Sequence, residues 1–157
     1  MKHTIQALVE NRFGVLARVA SLFSARGYNI DSLAVGETQD PTVSCMTFVV
    51  NAEDERILEQ IKKQLNKLID VITVVDMTKK DYIDRELLLM KVNYNPKAKE
   101  AILAMKKELA IEVLEEKTDY AVIAFTGDHD QVRSLLEKFK PLGVKELVRT
   151  GKIAINK

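Results

Sequence analysis

The residues with the best prospects of holding a ligand lie in Glu10-Asn11-Arg12-Phe13-Gly14-Val15-Leu16 and, after a helical stretch that ends at Gly27, in Tyr28-Asn29-Ile30-Asp31. The first run reads as a strand opening into a short loop, with glycine where the backbone enters a helix. The N–H groups of a helix's first turn and the positive end of its dipole favour a carboxylate or phosphate, and a residue without Cβ lets such a group approach. Taken alone, the stretch reads first as a strand-to-helix turn that binds nothing and second as an anion site.

Elements able to position these residues follow from the periodicity. Ile5, Ala7 and Val9 alternate, predicting a strand over 3–9, and Val15, Leu16, Val19, Leu22 and Phe23 predict a helix whose apolar stripe holds all five. Arg18, Ser21 and Arg26 then face outward. Tyr28 and Ile30 share one parity while Leu33 and Val35 share the other, so a strand over 28–37 needs a bulge near Asp31-Ser32, which would re-aim Asn29. Asp40-Pro41 marks a turn, and 43–50, apolar on both parities, reads as a central strand. A helix over 53–69 and a β-branched strand over 71–77 complete β-α-β-β-α-β, the ferredoxin-like arrangement of four antiparallel strands with two helices on one face.

The pattern then recurs. A polar stretch over 79–85 reads as a linker, dividing a first domain, 1–78, from a second, 86–157. Asn95-Pro96 predicts an N-cap and first helical residue, Ala98, Ile102, Met105 and Leu109 a helical stripe, and Asp128 or Asp130 the cap of a last helix that Pro141 and Gly143 end. Residues 144–155, broken at Gly151, supply a closing strand or pair of strands. The fold class is therefore α+β: two tandem ferredoxin-like βαββαβ domains. A domain of this size is marginal alone, and open four-stranded sheets leave edges, so pairing of two copies through a sheet edge is expected.

Composition excludes several functions. Twenty-four Lys and Arg against 23 Asp and Glu leave a formal charge of +1, which gives no field to recruit nucleic acid or an acidic membrane. No apolar run reaches the length of a membrane span and no apolar signal core follows the first charges, so a cytoplasmic protein is expected. Cys45 is the single cysteine and reads as a small core residue; His3 and His129 lie at no spacing that makes a metal site. No nucleophile motif, dinucleotide fingerprint or P-loop is present.

Three runs carry a family resemblance: Val9-Glu10-Asn11-Arg12-Phe13-Gly14-Val15-Leu16, the stretch from Val19 to Leu33 that includes Arg26-Gly27-Tyr28-Asn29-Ile30-Asp31-Ser32-Leu33, and Leu58-Glu59-Gln60-Ile61-Lys62-Lys63-Gln64-Leu65 continuing to Val71. Together they resemble the small, regulatory subunits of acetolactate (acetohydroxyacid) synthase, whose N-terminal half is an ACT domain. The likeness is dense over 1–77 and looser beyond, through Val148-Arg149-Thr150-Gly151. It implies an N-terminal ACT domain, a C-terminal small-subunit domain and no chemistry of the chain's own. It further implies activation of a catalytic subunit that carries thiamine diphosphate, Mg and FAD, and feedback inhibition by a branched-chain amino acid, usually valine.

The family's effector site lies between two ACT domains, and its residues carry over to Asn11, Gly14, Val15 and Leu16 of one chain with Asn29 and Ile30 of the other. The implied partners are the catalytic subunit, a second copy of the chain and the amino acid, with neither nucleic acid nor membrane. A free amino acid would bring a carboxylate to the N–H groups near Gly14 to Leu16 and an ammonium to oxygens near Asn11 and Asn29. Phe13 departs from the pattern, standing where such loops often have proline, and so does Met105-Lys106-Lys107, where an aromatic-Arg pair is expected.

Competing functions are an amino-acid-sensing ACT protein acting on another enzyme, an RRM-like RNA-binding module and a stand-alone enzyme. The RNA reading needs aromatics and cations on the central strands, whereas Ser44-Cys45-Met46-Thr47-Phe48 offers one aromatic and no cation. The enzyme reading needs an acid–base pair such as Asp31 with Glu37 or His3, although carboxylates in polar turns usually serve as solvated caps.

Overall fold

Alternation along β1 (Lys2–Glu10) puts Ile5, Ala7 and Val9 fully into a core, and the computed structural model, which describes residues 2–157, builds the first unit around that strand. Helix α1 (Val15–Ser24), β2 (Ile30–Glu37), β3 (Val43–Asn51), α2 (Glu55–Leu65) and β4 (Val71–Asp76) follow, and the strands lie in the order β2-β3-β1-β4, all antiparallel to their neighbours. Val15, Val19, Leu22 and Phe23 of α1 and Leu58, Ile61 and Leu65 of α2 pack on one face of this sheet, where the Phe23 and Phe48 rings stack at 5.4 Å between centroids.

Local chemistry sets the ends of these elements. Gly14 caps α1 at φ +83°, and Gly27, at φ +68°, closes the turn after it. Asp54 caps α2 by accepting from the Ile57 N–H, so that helix begins at Glu55 and stops at Leu65, shorter than the 53–69 predicted. The expected bulge occurs: the β2–β3 register shifts between Ile30 and Ser32. Leu16 does not join the apolar stripe of α1; at 46% exposure it faces solvent, because it stands about 100° round the helix from the buried Val15. Cys45 is likewise outside the core, half-buried on the sheet face opposite the helices, since it pairs with Leu8 rather than with Ala7 or Val9.

The second unit repeats the topology with β5 (Tyr82–Asn93), α3 (Pro96–Glu108), β6 (Ile111–Glu116), β7 (Tyr120–Gly127), α4 (His129–Phe139) and β8 (Val144–Arg149), in strand order β6-β7-β5-β8. Asn95 caps α3 with Pro96 as its first residue, and Asp128 forms a capping box with Gln131 at the start of α4. Leu88, Met90 and Val92 of β5 bury against Ile102, Met105, Val132, Leu135 and Phe139.

The compact units are the chain up to Ile83 with Lys152–Lys157, and Asp84–Gly151. Strand β5 begins at Tyr82, within the polar 79–85 stretch. The last six residues, Lys152–Lys157, group with the first unit and include β9 (Ile153–Asn156). Two hydrogen bonds hold them there: Gln6 Nε2 donates to the Ala154 carbonyl (2.9 Å) and the Lys157 N–H to the Asp81 carbonyl (3.1 Å).

Candidate functional site

Leaving β1, the chain is tied down where the Glu10–Leu16 loop begins. The Glu10 N–H donates to the Asp70 carbonyl at 2.8 Å and the Asn11 N–H to the Thr42 carbonyl at 2.7 Å. Asn11 Nδ2 donates to Glu37 Oε1 at 3.0 Å and to the Pro41 carbonyl at 2.9 Å. Both amide protons of Asn11 are thereby used, and its Oδ1 has no donor among the described residues. A carbonyl held this way is suited to an ammonium.

Gly14 starts α1 with a backbone that L side chains rarely adopt, and a Cβ there would stand 3.1 Å from Arg18 Nη1. Arg18, one turn into the helix, bonds through Nε to Oδ2 of the buried Asp70 at 2.7 Å. The Val15 side chain is 2% exposed, so it contributes only main chain to the loop, and its N–H makes a long 3.4 Å contact with the Arg12 carbonyl. Phe13 is wholly exposed and reshapes nothing within its own chain.

Asn29 repeats the arrangement of Asn11. Its Nδ2 donates to Asp31 Oδ1 at 2.7 Å, Asp31 in turn pairs with Lys2 Nζ at 3.3 Å, and Asn29 Oδ1 is left without a donor among the described residues. This group, however, is far from the loop. Ile30 lies opposite Val50, which lies opposite His3, whereas the loop follows Glu10 at the other end of the same sheet. Seven residues of strand at ~3.3 Å each separate the two groups by roughly 23 Å. Within one chain, Asn11, Gly14, Val15 and Leu16 come together, and Asn29 with Ile30 stands apart.

Comparison with known proteins gives these groups their context. Residues 5–73 match the model of the AHAS small subunit-like ACT domain, and residues 85–157 match that of the small subunit of acetolactate synthase. This chain belongs to the acetolactate synthase small-subunit family. It is 44% identical over 155 residues to the probable acetolactate synthase small subunit of Archaeoglobus fulgidus, covering 99% of this chain and 96% of that one. It is 42% identical over 154 residues to the Bacillus subtilis small subunit, covering 98% and 90%. The crystal structure of the Thermotoga maritima small subunit superposes with TM-score 0.86 at 31% identity, covering all of this chain and 98% of that one.

As a small subunit, the chain has the two tandem ferredoxin-like ACT-type units expected of it, and no metal-binding group of side chains occurs among the described residues. No described helix is long and apolar enough to cross a membrane. Sequence reasoning missed three residues that shape the loop: Glu37, which takes one Asn11 amide proton, and the Arg18–Asp70 pair. Arg18 had a usable signal, because the fourth residue after Gly14 lies on the same helix face as the glycine. Glu37 and Asp70 had none, since strand pairing alone brings them to the loop.

Proposed function

We propose that this small subunit is regulatory: it does no chemistry, activates a thiamine-diphosphate-dependent catalytic subunit, which also carries Mg and FAD, and lets a branched-chain amino acid, valine, inhibit the assembly. The effector binds between two copies, at Asn11, Gly14, Val15 and Leu16 of one chain and Asn29 and Ile30 of its mate. The observation that carries this reading is the placement of those two groups at opposite ends of a sheet whose outermost strand, β2, has an open edge. A two-fold antiparallel pairing of β2 with β2 of the mate sets Ile30 of one chain beside Glu37 of the other. Asn11 is bonded to Glu37, so the same operation brings Asn29 of one chain to the loop of the other. Two half-sites result, each with two amide oxygens for the ammonium and a helix N-terminus for the carboxylate.

A ligand bound across that interface interacts with one arrangement of the pair more strongly than with another, and it shifts the population by that difference. Calorimetric titration of valine, leucine and isoleucine into the full chain tests the site, with one ligand per half-site expected; a folded dimer that binds none of them removes it. Affinity capture with this chain as bait tests the partner, and recovery of a thiamine-dependent synthase is the expected result. Capture of a different enzyme as the sole stoichiometric partner would reassign the sensor.

A further inference from the structure

The first unit's sheet has a second edge, β4, on the side away from β2. The turn that leads into it, closed by the Val71 N–H on the Leu68 carbonyl at 3.0 Å, presents Ile69 at 94% exposure. Ile72, the extra residue where the β1–β4 register shifts, is 54% exposed. Two isoleucines within four residues, both open to water on a bonded turn and a bulge, mark a contact surface rather than a scatter of surface hydrophobes. Pairing of two copies through β2 leaves this edge uncovered by the mate.

The same turn borders an open groove of about 450 Å³ between α1 and α2, whose apolar lining includes Leu22 and Leu68. Its charged lining is Arg18, Arg26 and Lys67, and no carboxylate lines it. Arg26 spends its nitrogens on neutral acceptors, the Leu22 carbonyl at 3.3 Å and Gln64 Oε1 at 2.8 Å. Asp70 takes Arg18 Nε at 2.7 Å, while the Arg18 Nη groups and Lys67 Nζ have no acceptor among the described residues. The groove therefore holds more positive charge than its walls compensate, next to an exposed apolar lip.

We propose that the catalytic subunit docks on this surface through an acidic segment, with carboxylates on Arg26, Lys67 and the Arg18 Nη groups and apolar side chains on Leu68, Ile69 and Ile72. This rests on the reading of the chain as the activator of that subunit, and adds where the two meet. The charge selects an acidic partner, and the isoleucines supply the apolar burial that holds it. An amphipathic helix laid between α1 and α2 has the required pattern, an apolar stripe flanked by carboxylates. The Asp70 carbonyl bonds the Glu10 N–H at 2.8 Å, so a partner held here grips the turn to which the effector loop is tied.

Biolayer interferometry between the purified catalytic subunit and the full-length chain tests the surface, with activation of the synthase read in parallel. The paired reversal Arg26→Glu with Lys67→Glu is expected to weaken binding at least tenfold and to flatten the fall of affinity with salt. Ile69→Ser leaves every charge in place, and is expected to weaken binding at least fivefold with the salt dependence of the wild type. The paired reversal Lys97→Glu with Lys99→Glu makes the same charge change at exposed positions of the second unit, and is expected to bind as the wild type does. Wild-type affinity in either groove variant overturns the proposal, as does an equal loss in the Lys97 and Lys99 control, which general repulsion would give. Loss of a dimer in sedimentation by either groove variant overturns it in favour of a second copy as the occupant. Should the Arg26 and Lys67 variant not fold, judged by its melting curve, Ile69→Ser alone decides. A wild type that neither binds nor activates the catalytic subunit overturns the regulatory reading itself.

Discussion

Asn11 Nδ2 and Glu37 Oε1 are joined by a 3.0 Å hydrogen bond across 26 residues of chain, which ties the loop after the central strand β1 to the far end of the edge strand β2. The bond is exposed, so it contributes little to stability, on the order of 0.5–1 kcal/mol. Its consequence is positional: with the Pro41 bond it fixes the Asn11 amide and leaves Oδ1 without a donor among the described residues.

Asn11→Ala therefore separates stability from binding. Urea unfolding is expected to fall by no more than about 1 kcal/mol, whereas affinity for the amino acid, measured by calorimetry, falls more than tenfold.

The open edge of β2 makes a second prediction. Val35, on that strand, is 46% exposed, and in the Ile30–Glu37 register it lies opposite Ser32 of the mate, so an ammonium in its place would have to give up water inside a β2–β2 seam. Val35→Lys is expected to leave the fold intact by circular dichroism and to convert a dimer to a monomer in sedimentation, with loss of amino-acid binding in parallel. Retention of full binding by a monomeric variant would contradict a shared site.

Gly14 supplies a graded pair. Gly14→Ala carries only the backbone strain of φ +83° and a 3.1 Å approach to Arg18 Nη1, a cost of about 1–2 kcal/mol with binding retained in part. Gly14→Asp adds a carboxylate within reach of Arg18, in competition with the ligand's own. An inhibition assay on the reconstituted assembly is expected to show feedback weakened by alanine and abolished by aspartate.

Burial pushes the Cys45 thiol above its ordinary value of 9.0, against hydrogen bonds from Gln6 and Thr47 that act the other way. The folded chain thus holds this proton to higher pH than the unfolded chain does. Stability contributed by the buried thiol is complete below pH 9 and declines above it, as the unfolded thiolate forms first. Alkylation by iodoacetamide at pH 8 is expected to run slower on the native protein than on the urea-unfolded one.

The C-terminal strand gives a prediction about the fold itself. Removing residues 153–157 takes away β9 and the Ala154 acceptor of Gln6 Nε2, and uncovers part of the first unit's sheet opposite the helices. The first unit is expected to melt several degrees lower, and the transition of the second to move less, in a calorimetric scan of the truncated chain.

Much of the site was legible because its signals are local. Glycine between an apolar strand and an apolar-periodic helix marks where the backbone enters the helix, and the switch of parity between Ile30 and Leu33 requires a bulge whatever the strand pairs with. Leu16 and Cys45 were misplaced for the converse reason. Apolar side chains adjacent in sequence cannot all share a narrow helical stripe, and the parity of a strand apolar on both faces does not say which face is the core.

The sequence by itself determined the two βαββαβ units, the glycine at the start of α1, the cap at Asn95, a cap at Asp128 or Asp130, and the family, since each rests on residue type and spacing along the chain. Tertiary structure alone decided that Asn11 is oriented by Glu37, that Arg18 is clamped by Asp70 against a bare glycine, and that residues 152–157 return to the first unit. It also decided that Asn29 and the loop lie at opposite ends of one sheet. These are pairings across 26, 52 and 148 residues, set by strand register and helix packing, and no local pattern encodes them.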